Sequence, residues 1–261
     1  MIKEILKVTP PIDKNLLKKR FGAASSTYGE HAKVQQRMAV RLVEMAQMYL
    51  SAKQGRVLEF GCGTGLLTQQ IIKHFSVGHY VINDLVGDVS GLVHTILKNR
   101  VTKQQFIAGD VECLDLPDAL DSIWSGATIQ WINQLQPFFY KLSQHLKPGA
   151  YLLVSSFGPN NYKEIKATTG NGIAYETKEQ LISAASSGFE LIAFEEWQEQ
   201  LWFNSPLEVL KHMRSTGVNG VSACSWTKGK MNAFCNSYSQ WAQSDGYPLT
   251  YHPYLMVFKK N

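Results

Sequence analysis

The chain has 261 residues, 44% hydrophobic and 18% charged, a balance that fits a globular protein with one core of ordinary size and an elaboration. No apolar run approaches the roughly 20 residues that span a bilayer, so a membrane span is excluded. The net charge of +5, from 26 basic and 21 acidic residues, is too mild to argue for a nucleic-acid partner.

The opening MIKEILKVTPPIDKNLLKKRFG mixes Lys and Glu into its apolar residues, unlike the continuous centre of a secretory signal, and predicts a cytoplasmic protein. The next stretch, from LLKKRFG to AQMYL, has the period of an amphipathic helix, with Val34, Met38, Leu42, Met45 and Met48 on one face. From Arg56 onward short β-rich runs alternate with helical patterns, which predicts crossover units and a largely parallel sheet. The runs are RVLEF, YVIND, QQFIAGD, SIWSG and YLLVSS, each apolar enough to be buried on both faces. Between them TGLLTQQIIKHF places Leu66, Leu67, Ile71 and Phe75 on one helical face, and QPFFYKLSQHL is closed by KPG. FELIAFEEWQEQLWF then alternates like a strand, SPLEVLKHMRSTGVNG starts a helix with a Ser cap and a Pro, and LTYHPYLMVFKK is a last strand. The expected division is a helical cap over 1–53, a core over 54–204 and 247–261, and an inserted helical lid over 205–246.

Cys62, Cys113, Cys224 and Cys235 show neither a Cys-x-x-Cys pair nor zinc-site spacing, which predicts reduced thiols and no metal. Lys14, Lys18, Lys19 and Arg20 cluster near the start. Lys211, Arg214, Lys228 and Lys230 face only Glu208 between Ser205 and Met231. Either group is a solvated helix face or a docking surface for an acidic partner.

The stretch VLEFGCGTG carries the most chemistry. A dinucleotide fingerprint reads G-x-G-x-x-G and receives a pyrophosphate. Here Gly61, Gly63 and Gly65 alternate more tightly after a strand carrying Glu59, a carboxylate able to meet an ammonium. That fits S-adenosylmethionine, which has an amino-acid end and no phosphate. Asp84 ends the next strand, where ribose hydroxyls of a nucleoside cofactor lie, and Asp110 ends another, where it can accept from an adenine amino group. Cys62 between the glycines is explained by its small size.

With these residues the chain resembles the class I S-adenosylmethionine-dependent methyltransferases. More narrowly it resembles the malonyl-acyl-carrier-protein O-methyltransferase family of early biotin synthesis. LEFGCGTG, Asp84 and GDVE carry the generic part. FGAASSTYGEHAKVQ, the IQW of SGATIQWINQL, LKPGAYLLVSSFGP, LKHMRSTGVN and YPLTYHPYLMVF carry the specific part. The fold so implied is α/β and Rossmann-like: a doubly wound seven-stranded sheet with an antiparallel last strand, an N-terminal cap helix and an inserted lid. The cofactor site it implies comprises Tyr28, Gln35, Glu59, Gly61, Gly63, Gly65, Asp84, Leu85, Asp110, Val111 and Ser125, with S-adenosylhomocysteine as product. One departure is Gly126, where the family usually shows Asn.

Tyr28, His31 and Gln35 fall at helical spacing; His31 is either a satisfied, half-buried histidine or a substrate residue. A carboxylate acceptor is already ionised and requires no general base. Gln130 and Trp131 stand where many nucleic-acid methyltransferases carry Asn/Asp-Pro-Pro-Tyr; they form a substrate wall, or Trp131 is core packing. Lys211, His212 and Arg214 complement an acidic acyl-carrier protein, and Lys211, Arg214 and His252 are candidates to clamp the acceptor carboxylate. The substrate expected is malonyl on the carrier or on coenzyme A. The alternatives are a free aconitate-like dicarboxylate, or a cofactor-binding interaction protein without turnover.

Overall fold

The computed structural model describes residues 11–217 and 227–261; Cys224 and the start of the chain lie outside them. A sheet of seven strands runs in the order β3-β2-β1-β4-β5-β9-β6. The strands are β1 (Lys53–Phe60), β2 (Ser76–Asp84), β3 (Lys103–Ala108), β4 (Leu120–Ser125), β5 (Leu146–Phe157), β6 (Phe189–Glu196) and β9 (Pro253–Lys260). The first five pair in parallel, while β9 is antiparallel to both β5 and β6, so the Rossmann-like methyltransferase fold is present.

Alternation along each strand builds two cores. Val57, Trp124, Leu153 and Val257 face the layer that holds α2 (Lys33–Ala46), α3 (Leu66–His74) and α4 (Ser90–Leu97). Leu58, Ile123, Leu152 and Phe258 face the layer of α5 (Leu135–His145) and α7 (Lys178–Ala185). The strand β3 departs from expectation: it lies at the sheet edge and is only partly buried, because an edge strand has one neighbour to cover it.

Four further differences are local. The N-terminal stretch forms two helices, α1 (Lys14–His31) and α2, broken at Ala32, whose ψ of 43° is not helical. Met48 lies beyond the end of α2 and is 68% exposed, while Val34, Met38, Leu42 and Met45 are buried. The late strand-like stretches each divide: β7 (Glu199–Phe203) and β8 (Tyr247–Tyr251) leave the main sheet and pair as a separate antiparallel ribbon. Between them lie α8 (Pro206–Ser215), capped by the Ser205 side chain, and α9 (Lys228–Tyr238). The helix α6 (Lys163–Thr169), which the sequence reading did not anticipate, follows β5 and packs on α9 and β8. Among the described residues no helix is long and apolar enough to cross a membrane.

Candidate active site

Strand order reverses between β1 and β4, and the crevice beyond the carboxyl ends of the strands is where such sheets bind ligands. A cavity opens there, lined by Glu59, Gly61, Gly63, Asp84, Asp110 and the loop Gly126–Thr128. Gly61 and Gly63 turn the chain with φ of +66° and +51°, and open space lies where a Cβ on Gly63 would stand, so bare backbone faces the cavity.

The acids hold this turn in different ways. Asp84 Oδ2 accepts from the Gly63 N–H at 2.7 Å and Oδ1 from the Val86 N–H at 2.8 Å, so it fixes the glycine turn to β2. Its pKa is raised by burial, against the pull of those N–H groups. Glu59 is fully buried; its Oε2 accepts from the Thr68 hydroxyl at 2.8 Å and the Tyr80 hydroxyl at 2.6 Å, while Oε1 has no partner. Burial pushes its carboxyl up to about 7. Asp110 Oδ1 accepts from the Glu112 N–H at 3.1 Å and lies 3.5 Å from Lys14 Nζ, which ties the start of α1 to the end of β3.

The helices close the cavity from above the turn. Tyr28 and Gln35 line it from either side of the break at Ala32, and Leu17, Phe21 and Trp131 add an apolar wall in which Phe21 meets Trp131 edge-on at 5.5 Å. Burial, with the charge of Asp84, raises the Tyr28 phenol, which therefore stays protonated as a donor. Leu85 and Val111 complete the wall on the side of β2 and β3.

Other expected residues lie elsewhere. Gly65 does not line the cavity; it caps α3 at φ +82°, facing Ile96. The buried Ser125 hydroxyl donates to the Phe60 carbonyl at 3.0 Å, binding β4 to β1. The Gln130 amide donates to the Ala127 carbonyl at 2.6 Å and accepts from Ser156 at 3.2 Å, so both its ends are occupied within the protein. His31 meets the His212 ring at 6.2 Å rather than the cavity. His212 itself is buried, lies 2.7 Å from the Tyr251 hydroxyl and is pushed down to about 4 by burial and by His31, so it adds no charge to the surface of α8. His252 Nδ1 accepts from the Asn160 N–H at 3.3 Å and Nε2 lies 3.1 Å from Glu196, an arrangement that pins the turn after β5. Lys211 and Arg214 are exposed and line a second cavity. At Gly126 a side chain would have room, since a Cβ there meets Leu67 at an ordinary 3.5 Å.

The sequence reading missed Lys14, Leu17 and Phe21. Their spacing, continued by Tyr28, is a helical stripe, but the surrounding lysines masked it.

A family model described as a methyltransferase domain matches residues 58–154. A malonyl-[acyl-carrier protein] O-methyltransferase of Calditerrivibrio nitroreducens is 37% identical over 244 residues, covering 94% of this chain and 96% of the relative. One of Chlorobium phaeovibrioides is 38% identical over 252 residues, covering 95% and 97%. The chain belongs to the malonyl-[acyl-carrier protein] O-methyltransferase family. The fold is shared with YcgJ of Bacillus subtilis, at a TM-score of 0.57 and 12% identity over 84% of this chain and 97% of that one. It is also shared with the N-methyltransferase NodS of Bradyrhizobium japonicum, solved with S-adenosyl-L-homocysteine, at 0.51 and 13% over 84% and 85%.

The methyltransferase cofactor is S-adenosylmethionine, and the cavity fits it on two grounds. The unpartnered buried acceptors Glu59 Oε1 and Gln35 Oε1 both belong to cavity-lining residues, and an ammonium would supply the donors they lack. The glycine turn offers bare backbone without the third glycine spacing that a pyrophosphate loop uses.

Proposed function

We propose that this protein methylates the free carboxylate of malonyl carried as a thioester on an acidic acyl-carrier protein, and that Glu59, Asp84 and Asp110 hold the ammonium, ribose and adenine of the cofactor. The observation that carries the reading is the set of three carboxylates around the Gly61–Gly63 turn, under a lid of Tyr28, Phe21 and Trp131.

When bound, the cofactor supplies an electrophilic methyl group on a sulfonium. The acceptor, a carboxylic acid with an ordinary pKa of about 4 to 5, is already ionised near neutrality, so no side chain has to remove a proton. The protein's part is orientation and exclusion of water. Phe21 and Trp131 present apolar faces, and Tyr28 keeps its proton and so has a donor to offer at the cavity wall.

The test is methyl transfer from labelled cofactor to malonyl carrier protein, read as a base-labile ester; no transfer would end the proposal. Asp84→Ala is expected to raise the Kd for S-adenosylhomocysteine by about ten- to a hundredfold, since a hydrogen bond to a charged group is worth roughly 1.5–3 kcal/mol. Calorimetry that gave an unchanged Kd would mean that the ribose lies elsewhere. Lys211 and Arg214 are exposed on α8, and reversing both to Glu is expected to lower kcat/KM for the carrier substrate by about tenfold or more while barely touching a free dicarboxylate. Equal losses on the two would favour the free acid as substrate.

A further inference from the structure

The second cavity, of about 660 Å³, lies among α1, α6, α8 and α9. That is within the roughly 300–1,000 Å³ of small-molecule sites. Arg20, Lys166, Lys211, Arg214 and Lys230 bring cations to it from four different helices, and none of its described lining residues is a carboxylate. Such a concentration of one sign around a concave wall raises the local potential and favours an anion. The remainder is largely apolar, with Ile165, Ile173, Leu210, Met213 and Phe234. A ligand that satisfies both parts carries a compact negative group on an uncharged chain.

The cavity is next to the cofactor site. Helix α1 is a wall common to both, since Leu17 and Phe21 line the cofactor cavity while Arg20 lines the second. Tyrosines stand where they meet. Tyr28 belongs to the first cavity and Tyr162 to the second, and Tyr162 packs edge-on against Tyr251 at 5.0 Å. Burial is the main cause that raises the Tyr162 and Tyr251 phenols, and Tyr28 lies near enough to both to add to the rise, which places the three hydroxyls in one neighbourhood. Tyr162 is held there in the left-handed region, at φ +56°, by its N–H bond to the Thr250 carbonyl at 2.7 Å.

We infer that this cavity receives the phosphopantetheine arm of the substrate, its cations meeting the phosphate and its apolar lining the pantetheine chain, so that the acyl end arrives at the tyrosines beside the cofactor. The inference rests on the acyl-thioester reading above. Arg supplies a planar fork and Lys a point charge to phosphate oxygens, and both are present.

Two small thioesters isolate the phosphate: malonyl phosphopantetheine and malonyl pantetheine, assayed with the unaltered enzyme and with Lys166→Glu, Arg20→Glu and Lys166→Arg. The unaltered enzyme is expected to prefer the phosphorylated substrate by about tenfold or more in kcat/KM, with the preference shrinking as salt is raised. Each Glu variant should cut that preference by about fivefold, through KM, and Lys166→Arg should keep it. A preference equal in the unaltered enzyme and both Glu variants, or none to begin with, overturns the assignment even though methyl transfer proceeds. Failure of the unaltered enzyme to methylate either thioester sinks the acyl-thioester reading, and the cavity assignment falls with it.

Discussion

Glu59→Gln is expected to stabilise the cofactor-free protein above pH 7 by about 3 kcal/mol while costing it most of its cofactor affinity. An unfolded glutamate titrates near about 4.3. In the folded chain burial pushes Glu59 up to about 7, with Asp84 adding to the rise and the Tyr80 and Thr68 hydroxyls opposing it. Between those two values the folded protein retains a proton that the unfolded chain has lost, so stability falls as pH rises through the window and stays low above it. An amide keeps an oxygen for Thr68 and Tyr80 and removes the titration, so the difference between variant and parent should grow from pH 5 to pH 7 in thermal melts. Binding reverses the preference. A ligand ammonium against Oε1 favours the carboxylate, so below about pH 7 binding must expel a proton and the apparent Kd should rise by about tenfold per pH unit. In Glu59→Gln that slope should vanish. Calorimetry in buffers of different ionisation enthalpy reads the proton directly, and a pH-independent Kd in the unaltered protein would sink the assignment of Oε1 to the ammonium.

The parts of this architecture written in local pattern were legible in the sequence. The apolar runs RVLEF and YLLVSS, expected to be buried on both faces, put Val57 and Leu153 into one core and Leu58 and Leu152 into the other. The glycine turn and the acids at the ends of β1, β2 and β3 were legible for the same reason, since each is defined by its position on a strand. What depends on distant partners was not. His212 has the sequence look of a surface cation beside Lys211 and Arg214, yet it bonds inward to Tyr251, 39 residues on, and burial with the nearby His31 leaves it neutral. His252 had the look of a clamp, and Glu196, 56 residues back, together with the Asn160 N–H, makes it a strut. The second cavity takes its cations from four helices with no common spacing, so only their packing reveals it. The ribbon of β7 and β8 was hidden because each strand continues, almost without a break, from or into a strand of the main sheet.

Gly61→Ala is expected to destabilise the protein by about 2–5 kcal/mol and to abolish cofactor binding, the largest effect of any single methyl group at this site. Two costs combine. At φ +66° an L-residue loses roughly 1–2 kcal/mol to its own carbonyl. The added Cβ would then lie 2.2 Å from Thr128 Oγ1, 2.5 Å from its Cγ2 and 2.8 Å from its Cβ, and such overpacking costs about 1–3 kcal/mol more. Thr128 cannot simply rotate away, because the approach includes its Cβ and its hydroxyl is engaged with the Gly126 carbonyl at 3.0 Å. Gly63→Ala separates the costs. Its φ of +51° imposes the same backbone strain, but nothing lies within 4 Å of the new methyl, which projects into open space at the turn. That variant should lose only about 1–2 kcal/mol of stability and still bind cofactor poorly. Adding Thr128→Gly to Gly61→Ala should recover the packing part and leave the backbone part, a coupling that a double-mutant cycle in urea reads directly. A urea midpoint in Gly61→Ala equal to that of the parent would mean that the turn does not press on the loop after β4 as described.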